Sequence, residues 1–208
     1  MTRSRSICFL VIGLLSPLPA FAHHAMGGTR PVTFVQGFLS GLAHPVIGLD
    51  HFAFLAIAGV LASPLGPPMR YGAPVVLATS ALVGTTLHLA GVSLTMAEAL
   101  IALSVILGGG LALLRHRMNG KALFAFFAVA GVFHGYAYAE SIVGAQSAPL
   151  LAYLAGLAVI QVALTAGIIF GLEKLRTWTN HVDTTRLERV AGGLAFLSGV
   201  VFLASSLA

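Results

Sequence analysis

Charge is what this sequence most lacks: only 8% of its 208 residues are Asp, Glu, Lys or Arg. With 58% hydrophobic residues, too little polar material is left to cover a soluble domain of that length. Cysteine is almost absent as well. The single one, Cys8, lies in a leader-like stretch, so the mature chain would carry no disulfide, no thiolate metal site and no cysteine nucleophile. There is no GxxxxGK[ST], so the chain does not hydrolyse ATP itself. HExxH and CxxCH are missing too, and no two histidines stand four residues apart, which argues against an intramembrane metalloenzyme or haem enzyme. The formal charge is +5, but the basic residues fall in short clusters between apolar runs. That is a membrane-topology pattern rather than a nucleic-acid footprint.

What is present is long apolar sequence. Residues 1–22 read as a secretory signal: Arg3 and Arg5, the run "ICFLVIGLL", Pro17 and Pro19, then "AFA" before His23, with cleavage expected after Ala22. Six runs of spanning length follow, at about 46–63, 72–91, 95–114, 121–141, 149–172 and 188–207. The expected fold is therefore all-α, a single polytopic bundle of six transmembrane helices over 23–208. The stretch "VTFVQGFLSGLA", 32–43, is too short to cross alone and reads as an interfacial or re-entrant helix leading into the first span.

A cleaved leader places the mature N-terminus outside the inner membrane, and the positive residues agree. Arg70 follows the first span, Arg115, Arg117 and Lys121 the third, and Lys174, Arg176, Arg186 and Arg189 the fifth. The connections "GVSL" and "SIVGAQSA" carry none, which leaves Arg30 as the basic residue of the outer side. Both termini are thus expected to be periplasmic. The hydrophilic segment 173–189 reads as a solvated cytoplasmic connection, and His116 and His181, also in cytoplasmic connections, as incidental.

Ionisable groups inside spans are costly, so each needs a reason. His44, Asp50 and His51 lie at the outer end of the first span and His88 at that of the second. Glu98 opens the third, while His134 and Glu140 occupy the outer half of the fourth. All fall on one side. His88 and Glu98 flank the "GVSL" turn and should lie at similar depth. His134 and Glu140, six residues apart, differ by about 9 Å along the axis and about 120° around it, too far for one tight site. His44 and His51 would share a face on an unbroken helix, but Pro45 and Gly48 interrupt the register. Broken helices of this kind line ion sites in transporters. Imidazoles and carboxylates without sulfur suit a divalent first-row ion such as nickel, cobalt or zinc. Gln161, in the middle of the fifth span, reads as an interhelical hydrogen bond. Cleavage after Ala22 would also expose "HHAMGG", where the free amine of His23, its peptide nitrogens and the His24 imidazole could chelate Ni(II) or Cu(II).

The stretch "HPVIGLDH", 44–51, resembles the HPxxGxDH signature of the HupE/UreJ family of nickel permeases, and "FHGYAYAES", 133–141, is similar to that family's second conserved stretch. Tyr138 stands where some members carry a second histidine, and Ala139 where many carry glycine. The resemblance implies uptake of Ni(II), in some members Co(II), by a membrane protein associated with hydrogenase or urease maturation. It carries metal roles over to His44, Asp50, His51, His134 and Glu140. The leading expectation is a secondary permease, not an enzyme, with no prosthetic group. Its cargo would be Ni(II) or Co(II), its surroundings the bilayer, and its metabolic link hydrogenase, urease or cobalamin pathways. The alternatives are a metal-binding accessory or sensor protein without transport, and an intramembrane metal or haem enzyme.

Overall fold

The structure, a computed structural model, describes residues 29–178 and 184–207. The leader segment, His23 and His24 of the expected chelating terminus, and His181 lie outside the described residues. Among the described residues the chain is all-helical: α1 Phe34–Ile47, α2 Leu49–Ala62, α3 Pro67–Leu89, α4 Ala97–Leu113, α5 Gly120–Tyr138, α6 Ser147–Trp178 and α7 Thr184–Ser206. A 3₁₀ turn, Ala139–Ser141, extends α5.

α1 begins with a capping box. Thr33 Oγ1 accepts from the Gln36 N–H at 3.2 Å, and Gln36 Oε1 accepts from the Thr33 N–H at the same distance. The helix passes through Pro45, which contributes no N–H to the last turn, and stops at Gly48, whose backbone is extended (φ −70°, ψ 101°). α2 starts immediately afterwards, at 76° to α1. The interruption expected at Pro45 and Gly48 is therefore one bend at Gly48, and the 32–43 segment is the greater part of a helix that reaches the bend.

Three helix pairs pack closely because glycine lets their backbones meet. A Cβ on Gly37 or Gly41 of α1 would strike the backbone of Pro149 or Tyr153 in α6, and one on Gly156 would strike Phe38. Gly84 of α3 faces the backbone of Val132 in α5, and Gly135 of α5 faces Ala81. In α4 and α7, Gly109 and Gly192 face each other. α2 touches all the other helices. Its burial accordingly extends around the helix, through Phe54, Leu55, Ile57, Ala58, Val60 and Ala62. Leu77, Val105, Leu123, Phe127 and Ile169 pack against it to form the main core.

Four helices, α3, α5 with its 3₁₀ turn, α6 and α7, are long and apolar enough to cross a bilayer, and the bent pair α1 and α2 makes a fifth candidate. The expected span 95–114 is α4, apolar but 17 residues long. At 1.5 Å per residue that is about 26 Å, slightly less than a hydrocarbon core of roughly 30 Å. α6 errs the other way: its 32 residues extend about 48 Å.

The basic residues gather at one end. Arg70 pairs with Glu173, which also accepts from Tyr71 Oη at 2.6 Å. Arg176 donates to Glu188 Oε1 at 2.7 Å, to Ser63 Oγ at 2.9 Å and to Ser63 O at 3.2 Å. The end of α2, the end of α6 and the start of α7 are joined there. At the opposite end Arg30 donates to the carbonyls of Val143 and Gly144, in the connection after α5. Gln161 departs from its expected interhelical role. Its buried amide donates to Leu157 O, one turn earlier on its own helix, at 3.2 Å, a local side-chain-to-backbone bond that takes the place of a partner on another helix.

Candidate metal-ion site

The bend at Gly48 builds the centre of the site. His44 occupies the last turn of α1 and His51 the first turn of α2. On a straight helix seven residues would separate them by about 10.5 Å along the axis. Across the bend their ring centroids are 5.8 Å apart. α5 brings a third imidazole to the same place: His134 Nδ1 lies 2.7 Å from His51 Nδ1. All three rings are buried. Phe54 stacks on His134 at 4.3 Å and 19°, closing the group on the core side.

Two neutral imidazoles can share such a bond only if one nitrogen carries a proton and the other a lone pair. Ser104 of α4 bears on which is which. Its Oγ lies 2.7 Å from Ile101 O and 2.9 Å from His134 Nε2. With the hydroxyl proton assigned to the shorter bond, His134 Nε2 must donate to Ser104, its Nδ1 must accept, and His51 Nδ1 must donate to it. His51 then carries its lone pair on Nε2, which lies 4.0 Å from Asp50 Oδ1. Two donors on one first-row ion, each at about 2 Å, stand roughly 3 Å apart. A shift of about 1 Å would therefore let His51 and Asp50 hold an ion together.

His44 is held in a similar way. Its Nδ1 lies 2.9 Å from Tyr153 Oη and 3.1 Å from Ser141 Oγ. Both hydroxyls reach Tyr138 O, at 2.8 and 3.2 Å, a carbonyl at the end of α5 where the helix tightens into the 3₁₀ turn. With those hydroxyl protons on the carbonyl, His44 also donates from Nδ1 and keeps its lone pair on Nε2. Histidines that bind metals are commonly oriented in this way, by a bond from the ring nitrogen that does not face the ion.

The remaining candidates stand apart. His88, near the end of α3, donates from Nδ1 to Tyr136 O at 2.8 Å and lies against the Tyr136 ring at 4.2 Å. Tyr136 Oη in turn donates to Val92 O at 2.9 Å and accepts from the Leu94 N–H at 3.1 Å, so His88 supports the turn between α3 and α4. Glu98 is exposed in the first turn of α4, where a carboxylate favours the positive helix end. Glu140 is exposed in the 3₁₀ turn, well separated in environment from buried His134. Asp50 accepts from the His51 N–H at 2.8 Å, and its side chain, 17% exposed, is the part of the group nearest the surface. Among the described residues no three His, Cys, Asp or Glu side chains stand grouped to hold an ion. The expected seven-residue set thus divides into a buried histidine trio with Asp50 alongside, and three separate residues.

Ser104, Ser141, Tyr138, Tyr153 and Phe54 were not among the candidates read from the sequence. The signals for them are a lone serine in the apolar run of α4, tyrosines in spans, whose hydroxyls need partners once buried, and for Tyr138 its place where some family members carry a second histidine.

The sequence model described as HupE / UreJ protein matches residues 10–202, nearly the whole chain. The chain belongs to the HupE/UreJ family. Protein HupE of Rhizobium leguminosarum bv. viciae is 30% identical over 187 residues, covering 89% of this chain and 92% of that protein. No solved structure matches. Both stretches that resemble the family's motifs lie inside the matched range, and the bend and the buried trio are built from them.

Proposed function

We propose that this HupE/UreJ member is a secondary permease of the bacterial inner membrane that takes up a divalent transition-metal ion, Ni(II) or Co(II). The family's association with nickel and cobalt uptake gives the class. The observation that carries the reading is the bent pair α1 and α2, which sets His44 and His51 at 5.8 Å with Nδ1 of each ring engaged by buried partners. In this account the ion arrives from the periplasmic side, where His23 and His24 concentrate it. It meets Asp50 first and passes to the Nε2 atoms of His51 and His44. His134 receives it when the His51–His134 bond opens.

Below the trio, α2 is sealed by Phe54, Leu55, Ile57 and Ala58 with Leu77, Val105 and Phe127. Onward passage therefore needs α2 to move against the three glycine-packed pairs, a rocking of one helix group on another of the kind alternating access uses. At the far end a cavity of about 90 Å³, lined by Val60, Leu123, Arg115, His116, Met118 and Glu188, offers a way out. The apolar seal also favours a second reading, a protein that holds the ion for metalloenzyme maturation without passing it on. Uptake of radiolabelled nickel and cobalt by proteoliposomes containing only this chain separates the two. The permease reading expects saturable accumulation, and binding without accumulation would refute it.

A further inference from the structure

Tyr138 is fully buried, and its hydroxyl makes no hydrogen bond among the described residues. Its ring packs 4.3 Å from the His51 ring and 5.1 Å from the His44 ring, centroid to centroid. A buried hydroxyl without a partner is destabilising, and native structures keep few of them without a use. Equally buried and also beside His44, Tyr153 contacts His44 Nδ1, Tyr138 O and Ser141 Oγ through its hydroxyl. The Tyr138 backbone carbonyl is doubly engaged, while the side-chain oxygen, on a ring packed against two candidate ligand rings, is left over.

We infer that the Tyr138 hydroxyl is a cargo-contacting group: it hydrogen-bonds a water that the divalent cation retains while held by His44 and His51. This rests on the permease reading of the site. Closed on one ion, His44, His51 and Asp50 would supply at most three donors, fewer than the four to six that nickel or cobalt takes, so the captured ion would keep water. Water in a buried site needs polar partners, and the phenol is the neighbour with hydrogen-bonding capacity to spare. A neutral hydroxyl stabilises the hydrated ion without adding charge, so the ion is held reversibly, as transport requires.

The test is Tyr138→Phe, which removes the hydroxyl and keeps the ring. Purified parent and variant are compared by nickel uptake in proteoliposomes and by thermal unfolding in detergent, with and without nickel chloride. The expected result is a KM for nickel raised about tenfold, as for loss of one hydrogen bond to a charged ligand. Vmax should change little, and the midpoint without nickel should be no lower than the parent's. The upward shift of the midpoint caused by nickel should shrink. Tyr153→Phe, by contrast, should lower the midpoint without nickel. A Tyr138→Phe variant with parental KM and parental nickel shift would overturn the inference, as would one whose midpoint without nickel falls. If the parent shows a nickel shift and no uptake, the permease reading fails while the comparison of shifts still decides the role of Tyr138.

Discussion

Ser104 touches no expected ligand other than His134, yet its loss should be felt at the ion. In Ser104→Ala the buried His134 Nε2–H loses the oxygen 2.9 Å away, and an unsatisfied donor of that kind costs about 1–3 kcal/mol. The ring can relieve this by moving its proton to Nδ1. It then donates to His51 Nδ1 across the 2.7 Å bond, and His51 must carry its proton on Nε2, the nitrogen facing Asp50. Ion binding at His51 Nε2 then requires the original tautomer, with the His134 Nε2–H again unsatisfied, so the cost is incurred on binding and set against ion affinity. A cost of about 1–3 kcal/mol corresponds to roughly 5- to 150-fold in a binding constant, which brackets the 10- to 100-fold typical of lost orienting partners at metal sites. Proteoliposome uptake at graded nickel concentrations reads this as a raised KM. Because the proton shift relieves the buried donor, the thermal midpoint should stay near the parent's, and Ser104→Thr, which keeps a hydroxyl, should restore most of the affinity. A Ser104→Ala variant with parental KM would refute the orienting chain.

Two further outcomes test the scaffold. Gly84→Ala places a Cβ against the backbone of Val132, so α3 and α5 must separate; a loss of about 1–3 kcal/mol is expected, seen as a lower thermal midpoint and poorer yield of folded protein. Arg176→Ala unfastens Ser63 from Glu188 at the basic end; discounted for its partial exposure, the loss should be about 1–2 kcal/mol, and adding Glu188→Ala should cost less than its effect alone.

Much of the helical plan is legible in the sequence because apolar run length carries it. Residues 72–91, 121–141, 149–172 and 188–207 lie within α3, α5 with its turn, α6 and α7, give or take a few residues. The first span is less legible. Pro45 and Gly48 announce an interruption, but only the Gly48 backbone angles convert it into a 76° bend that brings His44 to His51. Linear spacing could separate His134 from Glu140, since axial rise and helical twist are local properties. It could not pair His134 with His51, 83 residues away, because that contact depends on how α5 packs against α2. The hydroxyl chains were less visible still. Serine and tyrosine are unremarkable in composition, and their roles emerge only when helix packing supplies the second partner.

Ion passage through the bend is open to a single comparison. Proteoliposomes are loaded with the parent chain or with His51→Ala at equal protein content, and internal radiolabelled nickel is followed over time. Saturable accumulation by the parent is expected, reduced by roughly tenfold or more in His51→Ala, with Co(II) competing. Equal accumulation by the two proteins, or none by the parent, would contradict it.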